Sequence, residues 1–129
     1  MTIGEVIAMV DEIQPNTYDE LVKFTWLSEL DGKIFNNVVL THEHDLVDDG
    51  EGNMIEPTFT AYTDENEELI APDEYADLYR HYLMAMIAYA NGESERYTNS
   101  MVMFNSVYDD FAAWYMRNYK SIIHPLRLF

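Results

Sequence analysis

Two histidines one residue apart, followed by an acid, are the first place to look for chemistry. Thr41-His42-Glu43-His44-Asp45 puts two imidazoles and two carboxylates within five positions. Imidazole nitrogen and carboxylate oxygen are ordinary zinc donors, so the motif offers three or four ligands at once. Immediately after it, Asp45 to Glu56 carries the spacing of a twelve-residue calcium loop in part. Gly50 stands at position six and Glu56 at position twelve, where such a loop turns sharply and closes with a bidentate carboxylate.

Both motifs are incomplete. His42-x-His44 is similar to the His-x-His-x-Asp-His signature of the metallo-β-lactamase family, but Leu46 stands where the Asp belongs and Val47 replaces the closing His. That fold also needs a sandwich longer than this 129-residue chain. His81 and His124 are the remaining imidazoles that could complete a site. In the calcium reading, Val47 occupies position three, and Pro57 with a strand-like run follows in place of a helix. A small metal-dependent enzyme built on His42, His44 and nearby acids is therefore a minor reading. A solvated helix end followed by a carboxylate-rich loop is the simpler one.

Other catalytic signatures are missing. There is no Gly-rich phosphate loop and no Gly-x-Ser-x-Gly elbow. With no cysteine, there is no thiol nucleophile, disulfide or thiolate metal site. No acid pair stands out among so many acids, and the expectation is a chain without catalytic residues, cofactor or resident metal.

The balance of 24 Asp+Glu against 7 Lys+Arg gives a net charge of −17. Such a surface repels phosphate, so specific nucleic-acid binding and docking on anionic lipid are not expected. Hydrophobic residues make up 48% of the chain, enough to build a core rather than an acidic disordered tail. No run approaches 18 apolar residues, and Met1 to Ile7 lacks the basic-then-apolar pattern of a signal peptide, so an intracellular, membrane-free protein is expected.

The elements that position these residues follow from periodicity. The expected fold is mainly α: about four helices, a short and a long one followed by two long ones packed as a bundle. A small β-hairpin or irregular acidic segment lies in the middle. The whole of 1–129 reads as one helical domain, with 43–71 as an acidic insertion. Thr2 to Ile13 is a helix with a Thr2/Glu5 capping box, an apolar face of Ile3, Val6, Ile7 and Val10, and a stop at Pro15. Thr17 to about Thr41 is the second helix, capped by Thr17 with Glu20 reciprocating. Its face is Phe24, Leu27, Leu30, Ile34 and Val38, with Gly32 as a soft spot.

The segment Glu43 to Glu74 holds 12 of the 24 acids and no Lys or Arg. Thr58 to Tyr62 and Glu68 to Ala71, separated by Asp64-Glu65-Asn66, read as the hairpin. Pro72 to Ala90 is the third helix, with a stripe of Tyr75, Tyr79, Tyr82, Met86 and Tyr89 and a stop at Asn91-Gly92. Ser94 to about Lys120 is the fourth. Tyr97, Met101, Phe104, Tyr108, Phe111 and Tyr115 form one stripe on it, and Met103, Val107 and Trp114 a second beside it. The two stripes together exceed what one small core requires of a helix. After Asp110 there is no acid, while Arg117, Lys120 and Arg127 follow, so an acidic middle and a basic end suit head-to-tail docking of copies. The candidate self- or partner-contact residues are Met103, Val107, Trp114, Arg117, Lys120, Arg127 and Phe129.

Three segments carry a likeness. They are Val10 to Asn16 with Trp26 to Ile34; Asp77 to Ile87; and Asn91-Gly92-Glu93 with Arg96 to Met101 and Phe104-Asn105. They resemble the head–tail connector (adaptor) proteins of tailed phages and prophages of Gram-positive bacteria. The likeness spans roughly residues 10–34 and 69–119 and leaves 43–57 without a counterpart. It implies a mainly helical virion subunit, assembled in the bacterial host cytoplasm, that forms a ring beneath the portal and meets portal or tail proteins. DNA would pass through that ring, and an acidic wall would not hold it. The competing expectation is an acidic DNA mimic that inhibits a nucleic-acid-binding protein. A mimic needs carboxylates spaced like phosphates on an exposed face, whereas half of these acids crowd into one loop-rich segment.

Overall fold

A computed structural model describes residues 1–122 of the chain. It is mainly helical, with one small two-stranded antiparallel sheet. The elements in order are α1 (Ile3–Ile13), α2 (Glu20–Ile34), β1 (Val47–Asp48), β2 (Met54–Ile55), α3 (Asp77–Ala90) and α4 (Ser94–Asn118).

α1 forms as its cap and periodicity dictate. Thr2 Oγ1 accepts the Glu5 N–H at 3.2 Å, and Ile3, Val6, Ile7 and Val10 are all buried. α2 departs from expectation at both ends. It begins at Glu20 after Asp19, not at Thr17, and the Thr17/Glu20 capping box does not form. Asn16 competes for this backbone. Its amide donates to Asp11 Oδ1 and the Gln14 carbonyl, and its Oδ1 accepts the Tyr18 N–H. The Tyr18 hydroxyl then donates to Asn91 Oδ1 at 2.7 Å, which fixes the α1–α2 corner against the α3–α4 turn.

At its other end, α2 widens over Phe35–Val39 to hydrogen bonds five residues apart, with Leu40 N donating to Phe35 O. Two asparagines and two valines are weak helix formers, and the wider turn sits where Phe35 meets Phe59. Gly32, expected as a weak point, is where the Phe59 ring lies against the helix. A Cβ at Gly32 would stand 3.3 Å from that ring.

The hairpin lies earlier than expected. β1 pairs with β2, Val47 opposite Ile55 and Asp48 opposite Met54, around the acidic loop. Residues 58–62 and 68–71 do not pair with each other, because each finds another partner. Tyr62 N donates to Ser28 Oγ on α2, while Leu69 N donates to the Met1 carbonyl and Ile3 N to the Glu67 carbonyl. The turn between them forms as its composition implies, with Asn66 N donating to Asp64 Oδ1.

Pro72 does not open the third helix. It precedes a single 3₁₀ turn, Asp73–Tyr75, and α3 starts at Asp77. The stop is as expected. Gly92 takes φ +75°, and Glu93 N donates back to the Ala88 carbonyl, which closes the helix end. α3 is covered on several sides. Leu78, Tyr79, Leu83 and Ile87 are fully buried, while Tyr89 of the expected tyrosine stripe is 68% exposed. α3 packs against α1, α2 and α4, so its leucines and Ile87, rather than the tyrosines alone, make the centre of the core. α4 is antiparallel to α3 through a short turn and contributes Phe104, Phe111 and Tyr115 to the same cluster.

Candidate functional site

The surface most apt for a function is built on α4 and the end of the molecule where that helix finishes. Of the second stripe, Met103 is half exposed, whereas Val107 and Trp114 pack partly against the core. Trp114 closes an aromatic group with its ring centroid 5.6 Å from that of Tyr75 and 6.2 Å from that of Phe111. Two of the three residues of that stripe therefore serve the fold itself. The outer face carries apolar residues that periodicity did not single out. Val102 and Met116 are 61% and 62% exposed, and no helix of this copy covers them. Neither belongs to an apolar repeat, so nothing in the spacing marks them. Asn99 and Asn105 are exposed on α4.

Arg117 and Lys120 are exposed at the end of α4 and make no ion pair among the described residues. Arg127 and Phe129 lie outside the described residues. The start of the acidic middle and the basic end of α4 lie side by side in one copy. Glu43 N donates to the Lys120 carbonyl at 2.8 Å, and Ile122 N donates to the Thr41 carbonyl at 2.9 Å.

The two motif histidines hold this junction together. His42 Nδ1 donates to the Val38 carbonyl at 2.7 Å, and its ring stands edge-on to Tyr115 at 5.2 Å, tying the end of α2 to α4. His44 Nδ1 is 2.6 Å from the His42 carbonyl, and its Nε2 is 3.1 Å from Glu56 Oε2. Both partners are acceptors, so the ring donates to both only when both of its nitrogens carry protons. The His42 carbonyl first, then Glu56, raises the His44 pKa above its ordinary value. Among the described residues, no three His, Asp or Glu side chains are grouped to hold a metal ion.

The hairpin uses its own carboxylates. Asp48 Oδ1 accepts from Gly50 N and Gly52 N, and Asp49 Oδ1 accepts from Glu51 N and Asn53 N. Gly50 and Gly52 take φ near +88°, which the turn requires. The Glu51 N–H holds the Asp49 carboxyl below its usual range. Every strand residue is exposed, and Leu46, Val47, Met54 and Ile55 present apolar surface to solvent at 44–60% exposure.

A second polar centre, not foreseen, is entirely internal. Asp31 is fully buried on α2 and accepts from the Tyr79 hydroxyl, the Tyr62 hydroxyl and the Ile70 N–H. Burial raises its pKa, against the opposing effect of the three donors, and both phenols are pushed up by burial and by the carboxylate. The signal was present in the sequence: Asp31 falls on the apolar face, four residues after Leu27 and three before Ile34. Nearby, the buried Lys23 Nζ meets Asp11 at 2.7 Å. A concavity of about 530 Å³ is an apolar groove between α2 and residues 59–63, lined by Leu21, Phe24, Phe59 and Tyr62 among others.

No helix among the described residues is long and apolar enough to cross a membrane. Comparison with protein-family models, curated proteins and solved structures finds no match to this chain.

Proposed function

We propose that the chain is a non-enzymatic virion assembly protein, a head–tail connector subunit that forms a ring beneath a phage portal through which DNA passes. The observation that carries this reading is the exposed apolar surface of α4 and the hairpin: Val102, Met103 and Met116 on one, Val47, Met54 and Ile55 on the other. An acidic monomer gains nothing from presenting these groups to water, whereas contact with another copy or a portal subunit removes them from it. The excess of acid suits a wall that duplex DNA must slide past. The resemblance read from the sequence over roughly 10–34 and 69–119 is in keeping with the same proposal.

The DNA-mimic alternative draws less support. Asp48 and Asp49 turn their carboxylates onto their own loop, and β1 and β2 offer apolar side chains between the acids. The test is electron microscopy of the purified chain mixed with a portal ring from a tailed phage whose connector it is taken to be. Added density of closed rotational symmetry on the portal is expected. Bare portals at saturating protein would overturn the reading.

A further inference from the structure

The exposed hairpin and the unpaired cations lie at the same end of the bundle, and their chemistry is complementary. We infer that the acidic hairpin β1–β2 of one copy docks side by side on the C-terminal end of α4 in a second copy, around Met116, Arg117, Tyr119 and Lys120. This inference rests on the self-assembly reading above and names the two surfaces that meet.

The hairpin is a projection in need of cover. Its strands are two residues each and wholly exposed, and an isolated two-stranded hairpin has little stability of its own in water. Val47 and Ile55 are paired across the ladder, so they share one face, and both are about 45% exposed. Asp45 and Glu51 are exposed beside the strands, so the hairpin that carries this apolar face is negatively charged. Whatever covers it must offer apolar surface and positive charge together.

This chain has one such place among the described residues. Three cations are already engaged: Lys23 with Asp11, Arg80 with Asp77, and Arg96 with Glu93. Of those left, Lys33 stands singly on α2, whereas Arg117 and Lys120 stand together at the end of α4, and no acid follows Asp110. Met116 is 62% and Tyr119 39% exposed beside them. Two copies at −17 each repel overall, so an acidic hairpin will settle only where the neighbour is locally positive.

Residues 41–43 run antiparallel to 120–122, so the hairpin base and the end of α4 share one height along the bundle. A hairpin reaching a neighbour's α4 makes a heterologous contact, which gives a closed ring where the rotation between copies closes.

Charge reversal tests the pairing. Oligomerisation is followed by sedimentation equilibrium for the wild-type chain, for Arg117→Glu with Lys120→Glu, for Asp45→Lys with Glu51→Lys, and for all four changes together. All are exposed positions, and unchanged circular-dichroism melting verifies the fold. Each pair alone should weaken self-association about tenfold or more, and the fourfold variant should recover most of it. If the wild type assembles and neither pair weakens it, this interface is wrong while self-assembly stands. Loss in both pairs without recovery in the fourfold variant also overturns the pairing. A wild type that stays monomeric alone and with a portal overturns both readings.

Discussion

The Tyr79 hydroxyl donates to Asp31 Oδ1 at 2.5 Å, and both residues are fully buried. The same hydroxyl accepts the Ala71 N–H at 2.8 Å, so one phenol ties α3 to α2 and to the segment leading into α3. A carboxylate removed from water persists because three donors reach it. Tyr79→Phe strands Asp31 Oδ1 and Ala71 N together. It should cost about 2–3 kcal/mol in urea denaturation, and Tyr62→Phe, at a half-buried phenol, about 1 kcal/mol. Equal small losses in both variants would show that Asp31 is solvated.

The Asp31 carboxyl also sets a pH dependence. Its pKa is raised in the folded state from an ordinary 3.8, so the folded protein holds this proton more tightly than the unfolded chain. Its contribution to stability is therefore fully present below 3.8 and is lost as pH rises through the folded value. Chemical denaturation from pH 4 upward should show stability falling, and Asp31→Asn should reduce that slope even though it lowers stability throughout. A wild-type curve parallel to that of Asp31→Asn would contradict the assignment.

His44 acts in the same direction at higher pH. Its pKa is raised above the ordinary 6.5 by the His42 carbonyl and Glu56, so its contribution is complete below 6.5 and fades as pH climbs through the raised value. NMR titration of the His44 ring should give a midpoint above that of His81, whose pKa burial lowers. His44→Gln should flatten the stability profile above pH 6.5. A reversed order of the two midpoints would remove His44 as the hinge of the hairpin base.

Gly4 is fixed by contact rather than by its torsion. A Cβ there would stand 2.8 Å from the Glu65 carbonyl oxygen, which itself accepts the Gly4 N–H at 2.9 Å. Backbone cannot give way as a flexible side chain can. Gly4→Ala should cost about 1–3 kcal/mol, comparable to overpacking a core. Thermal melting indistinguishable from wild type would show that the 64–67 turn does not seat on α1 as described.

On α4, two kinds of apolar residue should separate cleanly. Phe111→Ala, at a fully buried ring, should cost about 3–5 kcal/mol. Met103→Asp and Met116→Asp, at positions 50% and 62% exposed, should leave stability within about 0.5 kcal/mol while reducing association. Unfolding by either aspartate would mean that these methionines serve the subunit's own core.

Helix order, the α1 cap, the α3 stop and the core faces of α1 and α2 were legible because local signals and burial agree there. The start of α2 was not, since Asn16 outcompetes Thr17 for the backbone through a contact that includes Asp11 on another element. The hairpin was misplaced for a related reason. Thr58 to Tyr62 has strand-forming side chains, but its backbone finds Ser28 on α2, and the pairing falls instead to Val47–Asp48 and Met54–Ile55. Tertiary partners decided both cases. Of the candidate contact residues, Met103, Arg117 and Lys120 lie exposed, while Val107 and Trp114 share their surface with the core. Val102, Met116 and the apolar hairpin residues were hidden from periodicity because nothing in this copy packs on them.

Sedimentation velocity of the unmodified chain over a wide concentration range, alone and with portal rings, addresses the shared-surface claim most directly. The account predicts that the 15.1 kDa species gives way to a closed multiple of itself as concentration rises or portal is added. A single 15.1 kDa boundary under every condition would contradict it.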